Sequence, residues 1–158
     1  MEREWTAEES IVVGASAERV YRAVADVERM GRWSPECRAV WVPRPPVRCG
    51  TRFLGLNRKG PWVWVTECRV QQADPGRGFA FRVTTFGLPV ALWGYRFEPE
   101  AGGTRVTEYW QDLRTGRLSG LTELLGRAFT GTRPADRHRV NRAGMRTTLE
   151  RLKRALEA

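Results

Sequence analysis

Glu108, in the stretch "RVTEYWQD", is the side chain with the most scope for chemistry in this sequence. Strand side chains alternate between faces, so an outward Arg105 sends Val106, Glu108 and Trp110 inward. A carboxyl facing an apolar interior is desolvated; its pKa rises and it can serve as a general acid or base. The competing reading is a salt bridge to an arginine, or exposure near the strand end. Asp112 and Glu67 are weaker candidates, Glu67 because alternation sends it outward. Tyr95 and Tyr109 each carry a hydroxyl able to hydrogen-bond a ligand carbonyl, and alternation favours Tyr95 alone.

Other chemistries find little support. His138 is the only histidine and sits between Arg137 and Arg139 in "DRHRVNR", where two cations disfavour an imidazolium; an exposed helix position is expected. A Ser-His-Asp arrangement would have that one base only, and no G-x-S-x-G stretch accompanies it. Cys37, Cys49 and Cys68 form no C-x-x-C pair, and with a single histidine no zinc set is expected. They read as reduced thiols packed as small apolar residues. "GRGFAF" is a β-turn after Pro75 rather than a dinucleotide or phosphate loop. The expectation is therefore no metal and no cofactor.

These residues need a frame to position them. "SIVVGA" reads as a strand, and Ser16 caps a helix with Ala17, Val20, Tyr21 and Val24 at helical spacing. Asp26 caps a second short helix, "VERMGR", whose end suits Gly31 because glycine accepts positive φ. Pro35 forces Ser34 into an extended conformation, so the chain turns at Trp33 and starts the strand "ECRAVWV". Five more strands follow, separated by "NRKGP", "ADPGRG", "FGLP" and "EPEAGG". Residues 118–130 read as a short apolar helix. A long helix after Pro134 carries the stripe Met145, Leu149, Leu152, Leu156. The 158 residues are expected to form one α+β domain: a curved antiparallel sheet of about seven strands wrapped around the C-terminal helix, with two short helices after the first strand.

Using arginines as outward markers, alternation turns a bulky aromatic face toward the helix. It predicts that Trp41, Phe53, Trp64, Phe81, Trp93 and Tyr95, with Glu108, border one enclosed apolar space, and that Trp33 lies near one end. Trp33 either caps the core or also touches a ligand. The aromatics either meet in a dense core or line a cavity of the roughly 300–1,000 Å³ usual for ligand pockets. The apolar segment from Leu113 to Arg133 would cover its mouth.

The stretches "SIVVGASAERVYRAVADVERMGRWSPE", "GTRFLGLNR", "WVWVTECRVQQADPGRGFAFRV", "WGYRFEPEAGGTRVTE" and "GMRTTLERLKRALE" together resemble the START-related helix-grip (SRPBCC) superfamily, and within it the polyketide cyclase/dehydrase-like group. The resemblance covers most of the chain. It implies a helix-grip fold, a START-like ligand-binding domain over 1–158 and a deep apolar cavity between sheet and long helix.

Three functions follow as expectations. The first is binding or carrying a small hydrophobic molecule, a lipid or polyketide-like compound. The second is a polyketide cyclase or aromatase working in the same cavity, with Glu108 as the polar group beside the substrate; whether the chain is an enzyme stays open. The third draws on the formal charge of +9, most of it from residue 113 onward, which can attract an anionic membrane surface. Nucleic acid is disfavoured, because no binding motif occurs and aromatics are not interleaved with the arginines. No apolar run is long enough to cross a membrane and the N-terminus has no apolar signal core, so a cytoplasmic location is the expectation.

Overall fold

A computed structural model describes residues 5–114, 120, 121, 124 and 136–158. Seven strands make one sheet: β1 (Thr6–Val13), β2 (Cys37–Trp41), β3 (Arg52–Lys59), β4 (Trp62–Asp74), β5 (Gly78–Thr85), β6 (Leu88–Glu100) and β7 (Gly103–Asp112). Their order is β1-β7-β6-β5-β4-β3-β2 and every neighbouring pair is antiparallel. Between β1 and β2 lie helix α1 (Ala17–Ala25) and a 3₁₀ helix, Val27–Arg32. Helix α2 (Arg137–Glu157) closes the chain. This is the expected α+β helix-grip architecture. Of the short helix expected over 118–130 only three residues are described; the rest of it, and most of the expected cover from Leu113 to Arg133, lies outside the described residues.

Local signals place the helices. The Ser16 side chain accepts the Arg19 N–H at 3.2 Å, which starts α1, and Val20 and Val24, four apart, bury one face. Gly31 answers a different need from the one its sequence position suggests. It has no positive φ; the Cys37 and Arg38 carbonyls approach its bare Cα so closely that a Cβ would lie 3.3 and 3.4 Å from them. Helix α2 is held along β1: Lys153 Nζ donates to the Val12 carbonyl at 2.8 Å, the Gly14 N–H donates to Glu157 at 2.7 Å, and Arg146 pairs with Glu9 at 3.0 Å.

The sheet-facing row of α2 changes character along its length. Leu149, Leu152 and Leu156, in the last two turns, pack with Val13, Val20, Phe79 and Val106 into a solid core. Phe79 and Phe97 each meet the Tyr21 ring edge-on, with centroids 6.3 Å apart. The first half of the helix instead turns Asn141, Met145 and Thr148 to the sheet. His138 continues the same row one turn earlier and is 8% exposed, so the exposed position expected for it is corrected. The spacing 138, 141, 145, 149, 152, 156 is one helix face, and the first turn of that face is the part hidden among arginines.

One expected inward aromatic, Trp41, lies elsewhere, and Trp33 takes the core-capping one of its two expected roles. In β2, Cys37 pairs with Asn57 but Ala39 pairs with Leu56, so Arg38 is an extra residue in the strand. This bulge inverts the alternation beyond it. Trp41 is 61% exposed and stands opposite Leu54 on the outer face, while Val40 and Val42 turn inward. Trp33, at 6% exposure, ends the 3₁₀ helix and joins the solid core. Its carbonyl accepts from Arg151 at 3.4 Å, and the neighbouring Pro35, not Trp33, reaches the space beyond, packing 3.6 Å from where a Gly144 Cβ would be.

Candidate functional site

Above the leucine half, α2 still meets one edge of the sheet, where Met145 packs with Ala7, Ala91 and Trp110, but the curved remainder of the sheet stands away from the helix. The space between them is a cavity of about 980 Å³. Phe53, Trp64, Phe81, Trp93 and Tyr95 line it from β3, β4, β5 and β6, each inward by the alternation that arginines on the other face mark out. Phe53 and Phe81 meet edge-on with centroids 5.3 Å apart. Met145 borders the cavity from α2. Six of the seven residues expected to border one apolar space therefore do so, counting Glu108; Trp41 does not, and Trp33, expected near one end, does not line it. The core and cavity readings both hold, in different halves of the same interface.

Glu108 comes from β7 and Tyr95 from β6, directly opposite each other in the ladder. The Tyr95 hydroxyl donates to Glu108 Oε1 at 3.1 Å. Glu108 is 5% exposed and its Oε2 has no hydrogen-bond partner among the described residues. Burial pushes the Glu108 carboxyl up to about 8, and the hydrogen bond from Tyr95 offsets only part of that. Burial, then the neighbouring carboxyl, holds the Tyr95 hydroxyl well above its ordinary range. The salt bridge considered for Glu108 is absent among the described residues. It belongs instead to Asp112, whose carboxylate is held by Arg114 at 2.8 Å with both side chains buried. Glu67 is exposed, as alternation requires. Tyr109 faces outward under the Arg96 guanidinium, 4.9 Å from its ring centroid.

A second polar group stands on the opposite side. Arg137, in the first turn of α2, pairs with Glu36 at 2.7 Å, and its guanidinium lies over the Trp64 ring, 5.9 Å from the centroid. Asn141 lies one turn further along. Both residues, with Glu36 and Arg114, border the cavity. None of the four was anticipated. Extending the Met145–Leu156 stripe by one turn toward the N-terminus would have reached Asn141, but a polar residue ends an apolar count.

The arrangement can hold a proton in apolar surroundings and can bind planar or flexible apolar matter. It does not favour thiol chemistry. Cys37 and Cys68 both border the cavity, and burial pushes their thiols up to about 11 and about 12, so both stay protonated.

Comparisons with known proteins agree with this geometry. The family model for polyketide cyclase / dehydrase and lipid transport matches residues 4–157. Among solved structures, the polyketide-cyclase-like protein Cgl2372 from Corynebacterium glutamicum is 30% identical over 99% of this chain and 94% of its own, with a TM-score of 0.63. Protein CV1439 from Chromobacterium violaceum has the same fold at 16% identity, covering 98% of this chain and 99% of its own, with a TM-score of 0.71. The di-domain aromatase/cyclase BexL of the BE-7585A biosynthetic pathway shares the fold at 21% identity and a TM-score of 0.68; this chain is covered over 98% of its length and BexL over 50%. No curated protein matches by sequence.

Proposed function

The chain belongs to the polyketide cyclase/dehydrase and lipid transport family, and on that premise we propose that it binds and carries a small hydrophobic molecule in the cavity between its sheet and α2. The observation that carries this reading is the cavity itself: about 980 Å³ with a mainly apolar wall that includes Phe53, Trp64, Phe81 and Trp93, and with polar side chains such as Glu108, Arg137 and Asn141 set into it. Pockets of that size and lining suit drug-sized apolar ligands, whose burial contributes roughly 25 cal/mol per Å². The ligand touches those four rings together with Tyr95 and Glu108, and residues 1–158 act as one binding domain. Native mass spectrometry of protein purified from its own host tests this. A co-purifying apolar mass released on denaturation supports it; bare protein that also takes up no apolar fluorescent probe refutes it.

A second reading, a cyclase or aromatase, is favoured by one specific feature: the buried carboxyl of Glu108 with an unpartnered oxygen on the cavity wall. In its ionised form that oxygen accepts a proton from a carbon next to a carbonyl. The resulting enolate attacks a second carbonyl of the same molecule, and the new alkoxide takes the proton back. Glu108→Gln separates the readings: a carrier keeps its affinity, whereas a cyclase keeps binding and loses turnover. No comparable feature favours docking through the basic C-terminal third, where Arg114, Arg137, Arg142, Arg146 and Lys153 all have carboxylate partners within the fold.

A further inference from the structure

Four buried polar atoms lack a hydrogen-bond partner among the described residues: Glu36 Oε1, Glu108 Oε2, Arg137 Nη1 and Asn141 Nδ2. All four residues border the cavity. Folded proteins rarely leave such atoms unmade, because each one has given up water without gaining a partner.

Two of the four are donors, and both are on α2. Arg137 and Asn141 are four apart, so they share one helix face. Asn141 is 3% exposed. The guanidinium of Arg137 is already fixed: Nη2 donates to Glu36 Oε2 at 2.7 Å and Trp64 lies beneath the plane. The chain thus supplies an ion-pair partner and a stacking surface that hold the group in place. Among the described residues nothing accepts from Nη1 or from the Asn141 amide nitrogen. Glu36 also offsets the guanidinium charge, so the ion pair has no net charge with which to attract a second anion. What these donors lack is a neutral oxygen.

We infer that Arg137 and Asn141 form a subsite for a carbonyl oxygen, so that the ligand of this cavity is an apolar molecule carrying a ketone-type carbonyl rather than a hydrocarbon or a free carboxylate. The inference rests on the reading of the cavity as a binding site, and it assigns the end of the ligand that α2 holds. Glu108, across the cavity on β7, then meets another part of the molecule.

Matched probes test it: fluorene, 9-fluorenone and fluorene-9-carboxylate, which share one ring system and differ in the oxygen they carry. Binding is followed by tryptophan quenching. Fluorenone should bind on the order of tenfold more tightly than fluorene, the worth of one net hydrogen bond from a charged donor. The carboxylate should bind no better than fluorene. Asn141→Leu and Arg137→Met should each bring fluorenone down to the affinity of fluorene and leave fluorene unchanged. The infrared carbonyl stretch of bound fluorenone should lie lower in wild type than in Asn141→Leu. Should Arg137→Met fail to fold, the wild-type preference and Asn141→Leu decide the matter. Fluorene and fluorenone binding equally well to wild type would overturn the subsite, its donors being met by water, while leaving the cavity reading intact. Binding of none of the probes would overturn the cavity reading, and the subsite with it.

Discussion

Tyr95 and Glu108 face each other across one rung of β6 and β7, joined by a hydroxyl-to-carboxyl hydrogen bond of 3.1 Å inside the protein. Burial there raises the Glu108 pKa from an ordinary 4.5 to about 8. For an acid shifted upward, the native state keeps a proton that the unfolded chain has already released. Unfolding free energy therefore falls as pH rises from about 4.5 to about 8, by up to about 1.4 kcal/mol per pH unit for one proton. Below that window both states are protonated and the group adds no slope. Glu108→Gln removes the slope while keeping an acceptor for Tyr95. Denaturant melts should show the variant gaining on wild type by a few kcal/mol between pH 4.5 and pH 8. Parallel pH profiles for the two proteins would show that Glu108 is not desolvated in the native state.

The two halves of the sheet–helix interface should respond differently to truncation. Phe79 is fully buried in the solid core, so Phe79→Ala should cost about 3–5 kcal/mol. Trp64 is half-buried beside the cavity and has fewer contacts to lose, so Trp64→Ala should cost clearly less. The same Trp64 change should abolish uptake of an apolar fluorescent probe, which Phe79→Ala need not do while the protein is folded. Equal losses of stability, with no probe uptake by wild type, would mean a filled interior.

Gly94 is paired with Tyr109, whose ring lies over it on the outer face under Arg96. Any Cβ at 94 would collide with the Tyr109 ring. Gly94→Ala should lose about 1–3 kcal/mol by overpacking. Tyr109→Ala in the same chain should return part of it, a positive coupling measured in a double-mutant cycle. Strict additivity would place the cost in the strand backbone instead.

Trp41 stands on the outer face beyond the β2 bulge, away from the cavity. Trp41→Ser should change stability by no more than about 1 kcal/mol and leave probe uptake untouched. A loss of uptake would put the tryptophan back inside.

Most of the architecture was legible because it is written in short-range terms. Ser16, Pro35, the glycine turns and the α2 stripe each constrain a few neighbouring residues, and period-two alternation assigns whole strands once one arginine is known to face water. That logic placed Phe53, Phe81, Tyr95 and Glu108 correctly. It failed at Trp41 for an equally local reason with a non-local cause. A bulge at Arg38 is defined by what β3 pairs with, and nothing in "ECRAVWV" marks the extra residue.

The sequence by itself determined the strand order along the chain, the gripping helix, and an aromatic inner face with one acidic residue on it, because periodicity and turn chemistry act over a few residues. Only the tertiary structure decided that the aromatics divide into a packed half and a hollow half. That division depends on how far α2 packs across the sheet: Leu149, Leu152 and Leu156 meet strands far away in the chain in a filled core, whereas beyond them Met145 meets only Ala7, Ala91 and Trp110 at one side of the cavity. It likewise decided that Arg137 Nη1 and Asn141 Nδ2 are buried with no hydrogen-bond partner among the described residues. Desolvation is a property of everything that surrounds a group, and no stretch of sequence contains its own surroundings.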